Sequence, residues 1–246
     1  MREGRRATNG RANVRLLILC ALLLATAGVT AAETDGVFRE DFRDLAHWTP
    51  VHFPKIKRHS TYTVVAEGGR TMLKTESRAS ASGIVLKKTF NPYDTPRLRW
   101  RWKVDNVYRQ ADGRVKAGDD YPLRIYVMFP YDPARAGLSD RVLYGALKAV
   151  YGRYPPHSTL NYVWASHPQA GEVIVSPYTD RARMIVVERG PARTGQWVEA
   201  SVHILKDYRM AFGQDPQPTA ALAIMNDSDN TGEAAMSYVE FLERGR

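Results

Sequence analysis

Alternation of apolar and polar residues is the dominant pattern of this chain. In LRWRWKV, the side chains of Leu98, Trp100, Trp102 and Val104 fall on one face, and basic side chains fall on the other. The segments RIYVMF and WVEASVHI have the same period of two. This period is typical of half-buried antiparallel strands, in which one face packs on a core and the other meets solvent. Both tryptophans are therefore predicted to be core residues.

Seven further segments have strand character and are separated by turn residues. They span residues 61–66, 71–76, 83–90, 160–166, 182–189, 220–225 and 237–242. The pair Gly68-Gly69 predicts a hairpin between the first two segments. In LNYVWAS, Tyr162 and Trp164 share one face, which we expect to be core, so Asn161 and Val163 are expected on the exposed face.

One segment, 139–152, breaks the alternation. Apolar residues recur there at helical spacing, Ser139 or Asp140 is placed to cap the start, and Gly152 followed by two prolines ends it. About ten strands and one inserted helix predict an all-β fold, a two-sheet antiparallel β-sandwich. No repeat or linker divides residues 33–246 in the sequence, so we expect a single domain.

The first 32 residues have the composition of a signal peptide. Five arginines precede or begin an apolar run from Leu16 to Ala27, which is too short for a membrane span, and small residues follow up to Ala32. Cleavage near Ala32 predicts a periplasmic or secreted protein with no membrane span in the mature chain. Cleavage also removes Cys20, the one cysteine, so disulfides and thiol chemistry are excluded from the mature chain.

Charge adds little to this picture. Residues 1–32 carry five arginines and one glutamate, so the net charge of +9 falls to +5 after cleavage. Export argues against nucleic acid as a partner. The stripe of Arg99, Arg101 and Lys103 is interpreted as a solvated face, or as a site for an acidic glycan or another anion if that face is concave.

A cluster of oxygen ligands lies in the stretch IMNDSDNTGE near the C-terminus. Asp227, Asp229 and Thr231 match the first positions of the helix–loop–helix calcium loop, but Tyr238 stands where that loop requires a glutamate. A calcium site of another kind is one interpretation. The other is a turn between strands, in which Asp and Asn side chains bond their own backbone and Gly232 adopts a positive φ.

A second acidic turn, AGDDYPLR, stands directly before a strand. Its two aspartates either cap the backbone or meet the first acidic turn at one end of the sandwich, where together they would offer oxygens to a cation or to sugar hydroxyls. The candidate ligand-binding residues are therefore Asp119, Asp120, Arg124, Asn161, Asp227, Asp229 and Asn230. Asp227 and Asp229 are the candidate metal ligands, with calcium as the candidate ion.

Patterns for catalysis are weak in this sequence. No strand carries the alternating acids of a sandwich glucanase, and no nucleophile elbow, HExxH or phosphate loop is present. A polysaccharide lyase needs a Tyr/His pair with a neutralising Arg or Asn, and His203, Tyr126, Arg124 and Asn161 offer these residue types. Binding fits better, because sugar sites combine aromatic faces with amide and carboxylate groups.

Several blocks together resemble one family. WRWKVD, GDDYPLRIYVMF, LNYVWAS, ARMIVVERG and AIMNDSDNTGEAAMSYVEFL are similar, in this order, to the exported bacterial domain-of-unknown-function 3047 family over about residues 38–242. The opening VFREDFRDLAHWTP also resembles concanavalin A-like and jelly-roll sandwiches. The wider resemblance implies a fold that often holds carbohydrate on a concave sheet, and the family implies no reaction.

These observations favour an exported, non-catalytic β-sandwich that binds a ligand, with carbohydrate as the leading candidate. Two alternatives remain at this point. One is a polysaccharide-active enzyme of lyase or hydrolase type, and the other is an envelope module that recognises another protein through the inserted helix.

Overall fold

The computed structural model describes residues 37–53, 56–134, 136–151, 154–167 and 172–246. The predicted signal peptide lies outside the described residues. None of the described helices is long and apolar enough to cross a membrane.

Two β-sheets pack face to face. The first contains β1 (Phe38–Glu40), β3 (Thr61–Glu67), β4 (Arg70–Arg78), β6 (Arg97–Val104), β11 (Val198–His203) and β13 (Ala234–Gly245). Its order is β11-β6-β13-β4-β3, and β1 pairs with β13. The second contains β2 (Trp48–Val51), β5 (Ala81–Leu86), β7 (Arg124–Phe129), β8 (Ser158–Ala165), β9 (Val173–Val175), β10 (Ala182–Arg189) and β12 (Ala221–Asp227). Its order is β2-β5-β12-β7-β8-β10-β9.

The predicted two-sheet β-sandwich is therefore confirmed, with one difference. Among the strands that the structure describes, every pair is antiparallel except β8 and β10, which run parallel. A parallel pair needs a crossover connection rather than a tight turn, and β9 lies in the chain between β8 and β10. The Gly68-Gly69 hairpin is also confirmed, since both glycines have positive φ angles, 57° and 76°.

Aromatic side chains fill the centre of the space between the sheets. The ring of Trp102 lies 5.3 Å from that of Trp100 and 5.8 Å from that of Trp164, and all three side chains are fully buried. Tyr162 packs on Trp100 at 5.5 Å. The prediction that these residues form the core is confirmed.

One end of the same interior is polar. Asn226 is fully buried, and its amide nitrogen donates to Thr75 Oγ1 at 3.0 Å while its side-chain oxygen accepts from the hydroxyl of Tyr108 at 3.3 Å. Ser60 donates to the Asn226 carbonyl at 2.7 Å. These bonds satisfy groups that burial would otherwise leave unpaired at a large free-energy cost.

The inserted helix is present as α1 (Leu138–Tyr151). Of its described side chains, Tyr144 is buried, stacked on Tyr131 at 3.9 Å. Leu138 and Val142 are exposed, at 81% and 70% of their surface. The apolar spacing thus predicts the helix correctly, although these two positions face solvent.

A second helix, α2 (Ile204–Phe212), was not predicted. It begins where the alternation of β11 stops and ends at Gly213, whose φ of 69° suits a left-handed cap. Its buried residues Ile204, Leu205 and Tyr208 have helical spacing, and Tyr208 packs on Phe129 at 4.6 Å. The helix was missed because the alternating pattern of β11 runs directly into it, and its helical spacing covers only a few residues.

Candidate functional site

The structure brings the two acidic turns together at one end of the second sheet. β12 and β7 are antiparallel neighbours, with Met225 opposite Arg124. The end of β12 therefore lies beside the start of β7, and Asp227 comes within hydrogen-bond distance of the segment that carries Asp119 and Asp120. This juxtaposition depends on strand pairing, because the two turns are about a hundred residues apart in the sequence.

Arg124 is the centre of a buried ion network at this end. Its Nε donates to Asp227 Oδ1 at 2.8 Å, and its Nη2 donates to Asp227 Oδ2. Its Nη1 donates to Asp119 Oδ1 at 3.3 Å. All three side chains are at least 97% buried, and the Tyr121 ring covers the guanidinium at 4.4 Å.

The charges of this network shift the pKa values of its members. Burial has the largest single effect on Arg124 and lowers its pKa, but Asp227, Tyr126 and Asp119 together outweigh burial and raise the pKa of the guanidinium. Burial raises the pKa of Asp119 to about 6, although Arg124 opposes the rise. Burial and the charge of Asp120 raise the pKa of Asp229. The positively charged Arg124 guanidinium thus lies among several buried carboxyl groups.

The acidic turn after β12 is bonded to a neighbouring loop mainly through its own N–H groups. The Asp120 carboxylate accepts from the backbone N–H of Asn230 at 3.1 Å and of Thr231 at 2.6 Å. The Asn230 amide donates to the Lys116 carbonyl at 2.7 Å. Gly232 has the predicted positive φ, 74°. The turn interpretation therefore accounts for these contacts, but the bonds reach across to residues 116–120 rather than only within the turn.

Residues 106–121 form the loop that this turn holds. Glu233 accepts from the backbone N–H groups of Arg109 and Gln110 at 3.0 and 2.9 Å. Within the loop, the Asp112 N–H donates to the Gly118 carbonyl at 2.8 Å. A Cβ at Gly118 would stand 2.5 Å from the Asp112 nitrogen, so this close approach requires glycine.

The folded loop encloses a cavity of about 110 Å³ beside the acidic turns. Its lining combines apolar side chains with the polar groups of Asp112, Arg114, Asp120, Tyr121, Ser166 and His167. Tyr121 is 2% exposed, and within the described part of the chain its hydroxyl has no hydrogen-bond partner. No sequence pattern singles out Tyr121, Ser166 or His167. Tyr121 directly follows the two aspartates, which is the one local signal that points to it.

Three carboxyl groups satisfy the distance requirement for a cation. One oxygen each from Asp120, Asp227 and Asp229 lie within 4.8 Å of one another. Both oxygens of Asp227, however, accept from the Arg124 guanidinium, which supplies positive charge where a metal was predicted. Asp229 Oδ1 has no partner among the described residues. Calcium binding at Asp227 and Asp229 stays a prediction.

Asn161 does not join the acidic group. It lies in the middle of β8 and is 3% exposed, while Val163 is fully buried, so the prediction that this face is exposed is wrong. The reason is that the outer face of the second sheet packs against further side chains, including Tyr121, which clusters with Val163. The role of Asn161 as a ligand contact stays a prediction.

The four residues that could have formed a lyase-like site do not lie together in the structure. They are His203, Tyr126, Arg124 and Asn161. Tyr126 stands directly opposite Asn161 on the second sheet. His203 lies at the end of β11 on the first sheet, opposite Arg97. The core of the sandwich separates the outer faces of the two sheets, and this set therefore does not form one site.

The basic stripe on the first sheet is neutralised by acidic neighbours. Arg99 contacts Glu199 at 2.5 Å, and Arg101 contacts Glu240 at 2.5 Å. Lys103 lies over the ring of Tyr238 at 4.3 Å. These pairings support the interpretation of a solvated face over that of an anion site.

A family model described as a protein of unknown function, DUF3047, matches residues 46–243. The chain belongs to the DUF3047 family. The match covers both acidic turns, the ion network and the cavity of this DUF3047 protein. No curated protein matches the chain.

Three solved structures share the sandwich arrangement at low similarity. The winged bean acidic lectin complexed with methyl-α-D-galactose has a TM-score of 0.40 and 10% identity, over 85% of this chain and 97% of the lectin. The Trichoderma harzianum endoglucanase 3 of family GH12 has a TM-score of 0.38 and 6% identity, over 86% of this chain and 91% of the endoglucanase. The enzymatically active domain of bacteriophage CBA120 tailspike protein 4 has a TM-score of 0.36 and 8% identity. This match covers 82% of this chain and 20% of the tailspike chain. These values are too low to transfer a ligand or a reaction to the DUF3047 protein.

The raised pKa of Asp119 predicts an unusual pH dependence. The folded protein takes up this proton near pH 6, whereas the unfolded chain does so near pH 4. The linked stability is therefore present below pH 4 and is lost as the pH rises through about 6. We expect Asp119 to add about 1 kcal/mol to the free energy of unfolding between pH 7 and pH 5.

Thermal or urea unfolding of the wild type and of Asp119→Asn at several pH values measures this contribution. The difference between the two curves isolates Asp119 from other titrating groups, including His157, whose pKa burial lowers. A difference that does not change between pH 7 and pH 5 contradicts the prediction.

Proposed function

We propose that this DUF3047 protein is a binding module for carbohydrate that acts in the periplasm or outside the cell. In this proposal the cavity beside Asp120 and Tyr121 receives a sugar unit, and the protein catalyses no reaction on it. Placement outside the cytoplasm rests on the arginine-rich, apolar N-terminal pattern.

The chemistry of the cavity supports a sugar as ligand. Asp120 offers a carboxylate acceptor, and Ser166 and His167 offer further polar groups, while Ala165 and Ile174 supply apolar wall. Sugars need this mixture, because their hydroxyl groups require hydrogen-bond partners and their C–H faces pack on apolar or aromatic surface. The cavity has a volume of about 110 Å³, and in this proposal one sugar unit enters it.

The arrangement of Asp120 favours binding over catalysis. Its two carboxylate oxygens already accept hydrogen bonds from the backbone N–H groups of Asn230 and Thr231. A general acid would need to donate a proton from the same atoms. A fixed acceptor instead suits a ligand hydroxyl that donates to it.

The observation that carries the proposal is the Tyr121 hydroxyl. A buried polar group without a partner costs roughly 1–3 kcal/mol of stability. Tyr121 could have been phenylalanine without this cost, and its ring would still cover Arg124. A ligand in the cavity would supply the missing hydrogen bond.

We expect Tyr121→Phe to lose at least about tenfold in affinity for the bound glycan, while its melting temperature stays equal or rises. The measurement is a screen of wild type on an array of neutral and acidic glycans, followed by titration of the best glycan into both proteins. Tyr93→Phe is the matched control, since the Tyr93 hydroxyl bonds the Pro216 carbonyl away from the cavity. If no glycan binds, or if Tyr121→Phe binds as the wild type does, the proposal is wrong.

A further inference from the structure

An open polar groove lies next to the cavity at the same end of the sandwich. Its lining comes from the segment that leads into β3, the end of β4, the start of β13 and Asn106. Tyr108, Ala111 and Ala235 form one buried cluster, in which Ala111 also lines the cavity and Ala235 also lines the groove. The volume of the groove is about 850 Å³, compared with about 110 Å³ for the cavity. The groove therefore offers an accessible surface for a larger ligand beside the cavity.

Two arginines of this groove have no carboxylate partner in the fold. Arg58 and Arg78 are exposed, and within the described parts of the chain neither guanidinium forms a hydrogen bond or an ion pair. Glu76 adds a carboxylate to the same lining, but Lys74 contacts that carboxylate at 3.1 Å. The groove therefore keeps positive charge, and a concave surface with charge of one sign attracts ligands of the opposite sign.

Arginines elsewhere on the surface show the contrast. Arg70 contacts Glu240 at 2.7 Å, and Arg209 contacts Asp215 at 2.5 Å. Ion pairs with carboxylates are also made by Arg39, Arg99, Arg101, Arg114, Arg181 and Arg193. In these pairs the fold itself neutralises the guanidinium, whereas Arg58 and Arg78 are left to the solvent or to a ligand.

The turn that carries Arg78 has a strained backbone. Ala79 has a φ of 45°, in the left-handed region that favours glycine. Its N–H donates to the Glu233 carbonyl at 2.8 Å, and the Arg78 N–H donates to Ser80 Oγ at 2.9 Å. The carboxylate of the same Glu233 holds the loop that encloses the cavity. Backbone strain of this kind is concentrated at functional sites, and here the bonds that maintain it fix the base of Arg78 in the groove.

We propose that this groove binds the acidic groups of a carbohydrate, with the Arg58 and Arg78 guanidiniums as hydrogen-bond donors. This inference rests on the proposed function and narrows its ligand to an acidic oligosaccharide. A guanidinium suits a carboxylate or sulfate group, because its planar fork donates two parallel hydrogen bonds to two oxygens. Thr61 and Asn106 are exposed in the same lining and offer a hydroxyl and an amide to uncharged sugar hydroxyls.

The test compares the double variant Arg58→Gln/Arg78→Gln with the control Arg70→Gln/Arg209→Gln. Both remove two positive charges from exposed positions, but Arg70 and Arg209 lie outside the groove and are paired with acidic neighbours. The probes are tetrasaccharides of galacturonic acid, of sulfated galactose and of galactose. They share a sugar ring and differ in the acidic group, so they separate a carboxylate site from a sulfate site and both from a neutral one.

The wild type is expected to bind one of the two acidic tetrasaccharides at least about tenfold more tightly than the galactose tetrasaccharide. Arg58→Gln/Arg78→Gln should lose about tenfold in affinity for that acidic probe, with binding of galactose unchanged. The control should stay within about twofold of the wild type, because screening by salt leaves distant exposed charges little effect. Titration at 0.15 M salt measures these affinities, and equal melting temperatures of the three proteins show that all are folded.

The outcomes separate this inference from the cavity proposal. If both double variants bind the acidic probe as the wild type does, or lose affinity equally, the groove inference is wrong. If the wild type does not prefer an acidic probe and Tyr121→Phe weakens binding of galactose, the groove inference is wrong and the cavity proposal stands. If Arg58→Gln/Arg78→Gln weakens binding but Tyr121→Phe does not, the groove is supported and the cavity proposal is wrong. Binding of no glycan by the wild type overturns both.

Discussion

Arg124→Met is expected to lower the free energy of unfolding by about 3–5 kcal/mol. The substitution removes the guanidinium that donates to Asp227 and Asp119, and it leaves two buried carboxyl groups without their counter-ion. A buried charge that loses its partner either remains ionised at high cost or takes up a proton. Chemical denaturation at pH 7, with circular dichroism as the signal, measures the loss.

The control for this prediction is an arginine that is paired on the surface. Arg99 contacts Glu199, and both side chains are almost half exposed. Arg99→Met should therefore leave the denaturation midpoint nearly unchanged. In the double variant Arg124→Met with Asp227→Leu, part of the lost stability should return, because the unpaired carboxylate is gone. If Arg124→Met is as stable as the wild type, the buried network does not stabilise this end of the sandwich.

Trp102→Ala is expected to cost about 3–5 kcal/mol of stability through a cavity in the aromatic core. The Trp102 ring is fully buried and contacts the rings of both Trp100 and Trp164, so neighbouring groups can only partly fill the space that it leaves. The measurement is the same denaturation experiment at pH 7.

Trp197→Ala serves as the matched control for the core substitution. Trp197 is half-buried on the outer side of the first sheet, where Arg101 lies over its ring at 5.3 Å. Its removal opens no internal cavity, and the expected loss is about 1 kcal/mol. Equal losses for the two variants contradict the assignment of Trp102 to the centre of the core.

Both predictions show which parts of the molecule follow from local pattern. The alternation around Trp102 predicts its burial directly, since side chains two residues apart share a face. Arg124 also alternates with apolar residues, and that pattern alone predicts a solvent-facing arginine. It is buried because β12 brings a carboxylate beside it, which no local pattern contains.

The acidic turns illustrate the same limit for the candidate site. The residue types in DDY and NDSDN indicate capping, turn formation or oxygen ligands, and local chemistry does not choose among these. In the structure, Asp120 accepts from the turn after β12 and Asp227 accepts from Arg124. The sequence predicted a joint site at the two acidic turns with Asp120 as a ligand contact, but not the rest of the cavity lining, because that lining comes from three separate segments of the chain.

Local patterns along the chain were enough to predict the positions of most strands, the aromatic core, the Gly68-Gly69 hairpin and the family, because period-two burial and ordered blocks are local properties. Tertiary structure alone decided the burial of Asn161, the ion network of Arg124 and the cavity beside Tyr121. Each of these depends on which strands become neighbours. Such pairing joins residues about a hundred positions apart, and contact between distant residues is decided by the packing of the whole chain.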